Sequence, residues 1–303
     1  MTMERGARSR KKYVVIGADD FGSSPSVNNA VAAAKDHGCL TAASVMAGGA
    51  AFHGAVDVAA RHPGLSVGLH VVLSQGRPVL SPVRIPDLVD KEGRFDPSPF
   101  RAGVMYWSRK ERIGEQIEAE VRAQFDKVED AGIHPSHVDC HHHLHIHPLL
   151  FTIISREAAR RRIAWIRIPR EPWPFLLRLH GPTLDAKAFL LRLVFELLNR
   201  RNMKAAYGLG LHVANTVYGT SGTGRIDERY LLAVLPYIKN GIHEIYLHPD
   251  SGTAAGQREK EAVISKRVGD SITALGIQPV GFKDLEFPAP HTGVAADSFA
   301  YGH

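Results

Sequence analysis

Four short apolar runs in this chain each give way to a group that can ligate a metal or move a proton. The first leads into Asp19-Asp20-Phe21-Gly22, the second into His70, the third into a histidine run, the fourth into His248-Pro249. The run, His137-Val-Asp139-Cys-His141-His142-His143-Leu-His145-Ile-His147, packs six histidines and an aspartate into eleven residues. One carboxylate and two imidazoles are the donor set of a three-ligand catalytic metal site, with positions left for water and substrate. A divalent ion held that way acidifies a water and polarises a carbonyl. A second carboxylate beside it can take the proton from that water, and a histidine across from it can protonate a departing amine. Asp19 and Asp20 can divide the two carboxylate duties, because neighbouring side chains at a strand end point to different sides.

Each piece also has a plainer reading. An Asp-Asp pair at a strand end commonly caps a turn or a helix. A lone histidine such as His70 is more often a hydrogen-bonded core residue. The histidine run differs, since so many imidazoles are costly to fold without a use, and it points to metal or catalysis. Its spacing leaves open which histidine ligates.

These residues can act together only if the fold gathers them. The apolar stretches 13–18, 41–46, 65–70, 137–141, 164–168, 244–248 and 278–282 read as strands. Helical periodicity covers 27–37, 50–61, 112–131, 149–162, 227–239 and 258–275. Such alternation predicts an α/β fold with a parallel sheet, closed as a barrel or doubly wound. In either form the C-terminal strand ends share one mouth, so Asp19, Asp20, His70, the histidine run and His248 converge there. Residues 76–100, rich in Pro, Gly and Asp, are too long for a plain connection and read as a functional loop.

Composition sets the outer bounds. With 303 residues, 44% of them hydrophobic, the chain can bury a large core without disulfides. Cys39 and Cys140 have no metal-knuckle spacing, and a reducing cytoplasm is the simplest home. The formal charge of +6 is concentrated in the basic tail 1–11 and at Arg160-Arg161-Arg162. Aromatic residues do not interleave with these, which argues against nucleic acid. No eighteen-residue apolar stretch spans a membrane. Segment 173–203 stands out: from Lys187 its charges fall on a narrow stripe of Lys187, Arg192, Glu196 and Arg200, and the rest is largely Leu, Val and Phe. So wide an apolar face needs a cover. The ordinary covers are the core or a homodimer partner; the sharper one is lipid, in peripheral contact with the inner face of the membrane.

The motifs Gly17-Ala-Asp-Asp-Phe-Gly22, Val67-Gly-Leu-His70, His137-Val-Asp-Cys-His-His-His-Leu-His145 and Leu247-His248-Pro249 together resemble the YdjC-like, or ChbG-type, carbohydrate deacetylases. The resemblance covers residues 12–285, with 286–303 left as a tail. It implies a distorted TIM-like (β/α) barrel, one domain with fewer than eight regular strands, in which 173–203 is an apolar helical insertion. It further implies a divalent metal, zinc or magnesium, on Asp20, His70 and His141. Asp19 becomes the general base, Arg167 its orienting partner and His248 the acid, acting on an N-acetylated glycan or glycolipid. Gly17 stands where the family's first motif usually has Asn, and Cys140 where it usually has Ser; neither replaces a ligand. Ile168-Pro-Arg-Glu171, Val217-Tyr-Gly-Thr220 and Arg225-Ile-Asp-Glu228 are most similar to the hopanoid-biosynthesis-associated HpnK branch. That branch implies an N-acetylglucosaminyl hopanoid as substrate.

Three functional readings follow. The leading one is hydrolysis of an N-acetyl sugar, on a hopanoid lipid or on a soluble chitobiose-like oligosaccharide. A non-haem iron oxygenase would use the same ligand types. A non-catalytic glycolipid carrier would keep the metal for stability alone.

Overall fold

The computed structural model of the chain describes residues 11–180 and 186–285. The basic tail, apart from Lys11, and the tail 286–303 lie outside the described residues, as does 181–185 of the apolar insertion. The strands are β1 Lys12–Phe21, β2 Ala42–Val45, β3 Ser66–Val71, β4 His137–Cys140, β5 Trp165–Ile166, β6 Thr216–Tyr218, β7 Gly241–Leu247 and β8 Ile277–Pro279. They form one sheet, every pair parallel, in the order β5-β4-β3-β2-β1-β7-β6, with β8 joined to the first half of β1. The two outer strands are linked through isolated bridges, Trp165 to His212 and Arg170 to Val217. The sheet is therefore curled into the expected distorted barrel. Among the described residues eight strands form, but β5 has only two residues and β6 and β8 three each, so fewer than eight are regular, as expected.

Helices follow the strands: α1 Pro25–His37, α2 Phe52–Arg61, α3 Pro99–Ser108, α4 Lys110–Asp130, α5 Pro148–Arg160, α6 Trp173–His180, α7 Ala186–Gly208, α8 Glu228–Val234, α9 Ala254–Ile264 and α10 Lys266–Ala274. Local chemistry sets their ends. Ser24 caps α1 by accepting from Val27 N–H, with Pro25 at the first turn, and Thr253 caps α9 by accepting from Gly256 N–H. The helix expected over 258–275 is two helices, because Ser265 adopts extended backbone between them. Residues 76–100 are a packed connection that runs into α3. Ile85, Leu88 and Phe95 are buried, and buried Glu120 on α4 accepts from the N–H groups of Val79 and Leu80.

The barrel interior is layered by the period of two along each strand. Outward positions of β1, Val14, Ile16 and Ala18, join the main core beneath the helices. Inward Val15 meets Ala42, Trp165, Val280 and Phe282 in a small apolar floor. One step further along each strand, the interior turns polar: Asp19, Ser44, His70, Asp139, Arg167 and Glu244 are all buried there. Gly68 shows how tight this interior is, since a Cβ at that position would collide with the ring of His137.

Helix α7 is inverted relative to a core helix. Its inner face carries Asn199, Asn202 and Ala206, with Asn199 Nδ2 donating to Pro169 O (2.6 Å) and Asn202 Nδ2 to Ile146 O (3.0 Å). Leu193, Val194, Phe195 and Leu197 are exposed. Burial against the chain's own core, the ordinary cover expected for this segment, does not occur at these residues.

Gly68→Ala should lower the free energy of unfolding by about 1–3 kcal/mol, the usual cost of overpacking. A urea titration checks this.

Candidate active site

The carboxylate pair sits inside β1 rather than after it. The register with β2 shifts between Ala18 and Phe21, and Asp20 takes φ 60°, a left-handed conformation that short polar side chains tolerate best. This irregularity keeps Asp19 buried on the barrel interior and leaves Asp20 at the mouth. There Asp20 Oδ1 lies 2.9 Å from His141 Nδ1 and 3.4 Å from His70 Nε2, and the two nitrogens are 3.3 Å apart. Ligands about 2.0–2.2 Å from one divalent ion have edges of about 3.0–3.5 Å, so the triangle fits a metal such as zinc. Asp20 Oδ1 is buried and has no aligned hydrogen-bond donor, as expected of an oxygen that faces a shared cation instead.

Behind the triangle, His70 Nδ1 donates to Asp139 Oδ1 at 2.6 Å, which fixes the ring and turns Nε2 toward Asp20. Asp139 Oδ2 accepts from Ser44 Oγ (2.7 Å) and pairs with Arg167 Nη1 (2.7 Å). Arg167 also grips both oxygens of Asp19, at 2.6 and 2.8 Å, and its Nε donates to Glu244 Oε1 at 2.8 Å. Its guanidinium lies over Tyr246, 4.6 Å from the ring centre. In a second set of potential ligands, Asp19, His70 and Asp139, both carboxylates are already engaged by Arg167, and a cation fits the first set better.

Burial would depress His70, but the charges of Asp139 and Asp19 and its hydrogen bonds hold it up, at about 10. For Asp139, burial pulls upward, yet Arg167 and His70 keep it well below the usual carboxylate range. Asp20 is likewise lowered against its burial by the close approach and charge of His141 and His70. Glu244 is pushed up by burial to about 7, with Arg167 offsetting part of the rise.

His248 directly follows β7. Its Nε2 is 4.0 Å from Asp19 Oδ2 and its Nδ1 is 3.9 Å from Glu259 Oε2, both beyond hydrogen-bond reach, while its backbone N–H donates to Glu259 Oε2 at 2.6 Å. A cleft of about 350 Å³ joins Asp19, Asp20 and His248 to the hydroxyls of Ser23, Ser24 and Thr223. All six residues expected at the site, Asp19, Asp20, His70, His141, Arg167 and His248, therefore meet in one place.

The histidine run divides its labour. His141 alone of the run joins the donor triangle. His137 is buried between Ser44 and Ser136 against Phe282, and burial takes it down to about 3. His145 Nε2 donates to Arg167 O (2.7 Å), and His143 Nε2 lies 2.6 Å from the Tyr246 hydroxyl. Sequence reasoning gave no role to Ser44, Asp139, Glu244, Tyr246 or Glu259. Glu244 and Tyr246 had a legible signal, because they alternate with His248 along one strand face. Ser44 and Glu259 had none.

The profile of the family described as YdjC-like protein matches residues 13–273. A carbohydrate deacetylase from Geobacillus stearothermophilus is 37% identical over 174 residues, 57% of this chain and 65% of that protein, just under two thirds of its length. A chitooligosaccharide deacetylase from Serratia marcescens is 30% identical over 201 residues, 60% of this chain and 75% of that protein. A solved Enterococcus faecalis structure, named for cellobiose-phosphate cleavage, superposes with a TM-score of 0.70 at 21% identity, over 91% of this chain and 100% of that one. That likeness establishes the shared fold.

Without metal, His70 should be protonated at neutral pH, since its folded value of about 10 lies above the ordinary value of about 6.5. This shift stabilises the metal-free fold fully below about pH 6.5 and is lost as pH rises through about 10. The Nε2 proton must leave before that nitrogen can ligate. Zinc titrated calorimetrically at pH 7.5 into buffers of different ionisation enthalpy should therefore release about one proton per ion. Heats independent of buffer would contradict this protonation state.

Proposed function

The chain belongs to the YdjC-like protein family, and from that premise we propose that it hydrolyses the N-acetyl group of a sugar, using a divalent metal, zinc or magnesium, held by Asp20, His70 and His141. The observation that carries this reading is the triangle of donor atoms set against a buried carboxylate, Asp19, clamped by Arg167. A metal held there supplies Lewis acidity toward the acetyl carbonyl and makes a bound water easier to deprotonate.

The chain's own residues do the rest. Arg167 fixes the plane of the Asp19 carboxylate, and Asp19 takes the proton of the attacking water as general base. His248, across the same cleft, gives a proton to the departing nitrogen, and Glu259 holds the backbone at that position. Asp139 keeps His70 Nε2 turned toward Asp20, where the two would hold the metal together. Cleavage of the amide then leaves acetate and a free amino sugar.

For the substrate we favour an N-acetylglucosaminyl hopanoid over a soluble chitobiose. Two observations support it. The segments similar to the HpnK branch pack together beside the cleft, where Glu171 accepts from Gly219 N–H (2.9 Å) and Ser221 N–H (3.1 Å) and so fixes the turn that brings Thr223 to the wall. In addition, helix α7 turns an apolar face outward.

Acetate release from the glycolipid and from chitobiose, with zinc, magnesium and chelator compared, tests the reaction and the substrate together. Chelator-sensitive release from the lipid supports both; release from chitobiose alone keeps the reaction and removes the lipid. No acetate from either turns attention to the oxygenase and carrier readings. Asp20→Ala, His70→Ala and His141→Ala should each abolish metal binding or turnover. Asp19→Asn should retain metal while turnover falls about 10²–10⁴-fold, the usual loss for a general base.

A further inference from the structure

Large apolar side chains exposed on the described surface are not scattered. All of them except Val83 lie on α3 or between α6 and Leu209. On α3, Phe100 (80% exposed), Val104 (52%) and Trp107 (65%) follow i, i+4, i+7 spacing, while Ala102 and Tyr106 of the same helix are buried. They form one outward stripe. On α7, Leu193, Val194, Phe195 and Leu197 are 41–65% exposed, above the inner asparagines that anchor the helix. Both helices pack on the 141–146 turn that begins with His141, so the two helices border the segment that carries this candidate ligand.

Charge accompanies the apolar residues. Arg109 and Lys110 follow the α3 stripe, with Glu111 beside them and Arg112, one turn on, paired to Asp87 at 2.6 Å. Arg200, Arg201 and Lys204 continue α7 beyond its exposed leucines, with Glu196 alone opposing them, paired to Arg200 at 3.3 Å. An apolar face bordered by cations suits an interface where acyl chains lie beneath anionic headgroups. A symmetric pair of copies meeting through this face would bring two patches bordered by cations against each other.

We propose that α3 and α7 form a docking surface for an anionic phospholipid bilayer, with Phe100, Trp107, Leu193 and Leu197 entering the headgroup boundary and the cleft held at the membrane. The proposal concerns binding and does not rest on the deacetylase reading.

Cosedimentation of the full chain with vesicles tests it. At roughly 0.1 M salt the protein should pellet with vesicles containing about a quarter phosphatidylglycerol and stay in solution with phosphatidylcholine alone. The pair Phe100→Ser and Trp107→Ser, and separately Leu193→Ser and Leu197→Ser, should each weaken partitioning at least about tenfold. Thermal melting should fall by no more than a few degrees, because the four side chains are partly or largely exposed and only Trp107 makes a ring contact, with His147. Arg201→Ser with Lys204→Ser should reduce both binding and its salt dependence. No pelleting of the wild type with anionic vesicles overturns the proposal, as does pelleting of the apolar variants equal to wild type. A soluble dimer that the leucine substitutions dissociate, without vesicle binding, overturns it in favour of a second copy. Vesicle binding without acetate release keeps the docking surface and removes only the reaction; acetate release without vesicle binding does the reverse.

Discussion

A single guanidinium organises the interior of this barrel. Arg167 reaches Asp19, Asp139 and Glu244 from β1, β4 and β7, and it is as buried as they are. Desolvating that many ionisable groups is unfavourable unless each is paired and hydrogen-bonded, and removing one member of a buried pair typically costs about 3–5 kcal/mol. The arrangement meets this demand with a planar fork that serves two carboxylates through its amino groups and a third through Nε. His70 takes the other oxygen of Asp139, and Ser44 donates to the one that Arg167 holds. The orientation of His70, and with it one corner of the donor triangle, is thus set by a charge network that extends to the far side of the barrel.

Much of this was legible in the sequence because parallel α/β folds leave a double trace. Apolar runs mark the strands, and the polar residues at their ends mark the mouth. Asp20, His70 and His141 all stood at such ends. What escaped were residues whose function depends on neighbours across the sheet. Ser44 is an unremarkable residue in AASV until β2 lies beside β3 and β3 beside β4, when it becomes the donor to Asp139. The short strand Thr216–Tyr218 was also missed, since three residues carry no periodicity to read. The break at Ser265 has the same origin: its hydroxyl donates to Glu228 Oε2 (2.5 Å) on α8, a partner 37 positions away in the chain.

Helix α7 shows a pattern that does not by itself choose its cover. A wide apolar face left the core, a homodimer partner and lipid open, and the core does not cover Leu193, Val194, Phe195 or Leu197. Here the polar asparagines face inward, because their amides satisfy the carbonyls of Pro169 and Ile146, which the irregular chain around the site leaves without strand partners. Needs of the backbone decided which face turned in. Hydropathy alone cannot register those needs.

The placement of β8 bears on how the chain acquires this structure as it is made. Strand β1 pairs with β2 only from Gly17 onward; its first residues pair with Ile277–Pro279, and the apolar floor around Val15 is completed by Val280 and Phe282. A ribosome has therefore to deliver some 265 further residues before the opening strand has its last neighbour. Until then Val15, Ala42 and Trp165 lack their cover, and the nascent barrel presents an open edge to the crowded medium around it. The pairing of β1 is thus finished only by β8, which makes a chain cut short before Ile277 a natural client for chaperones and proteases.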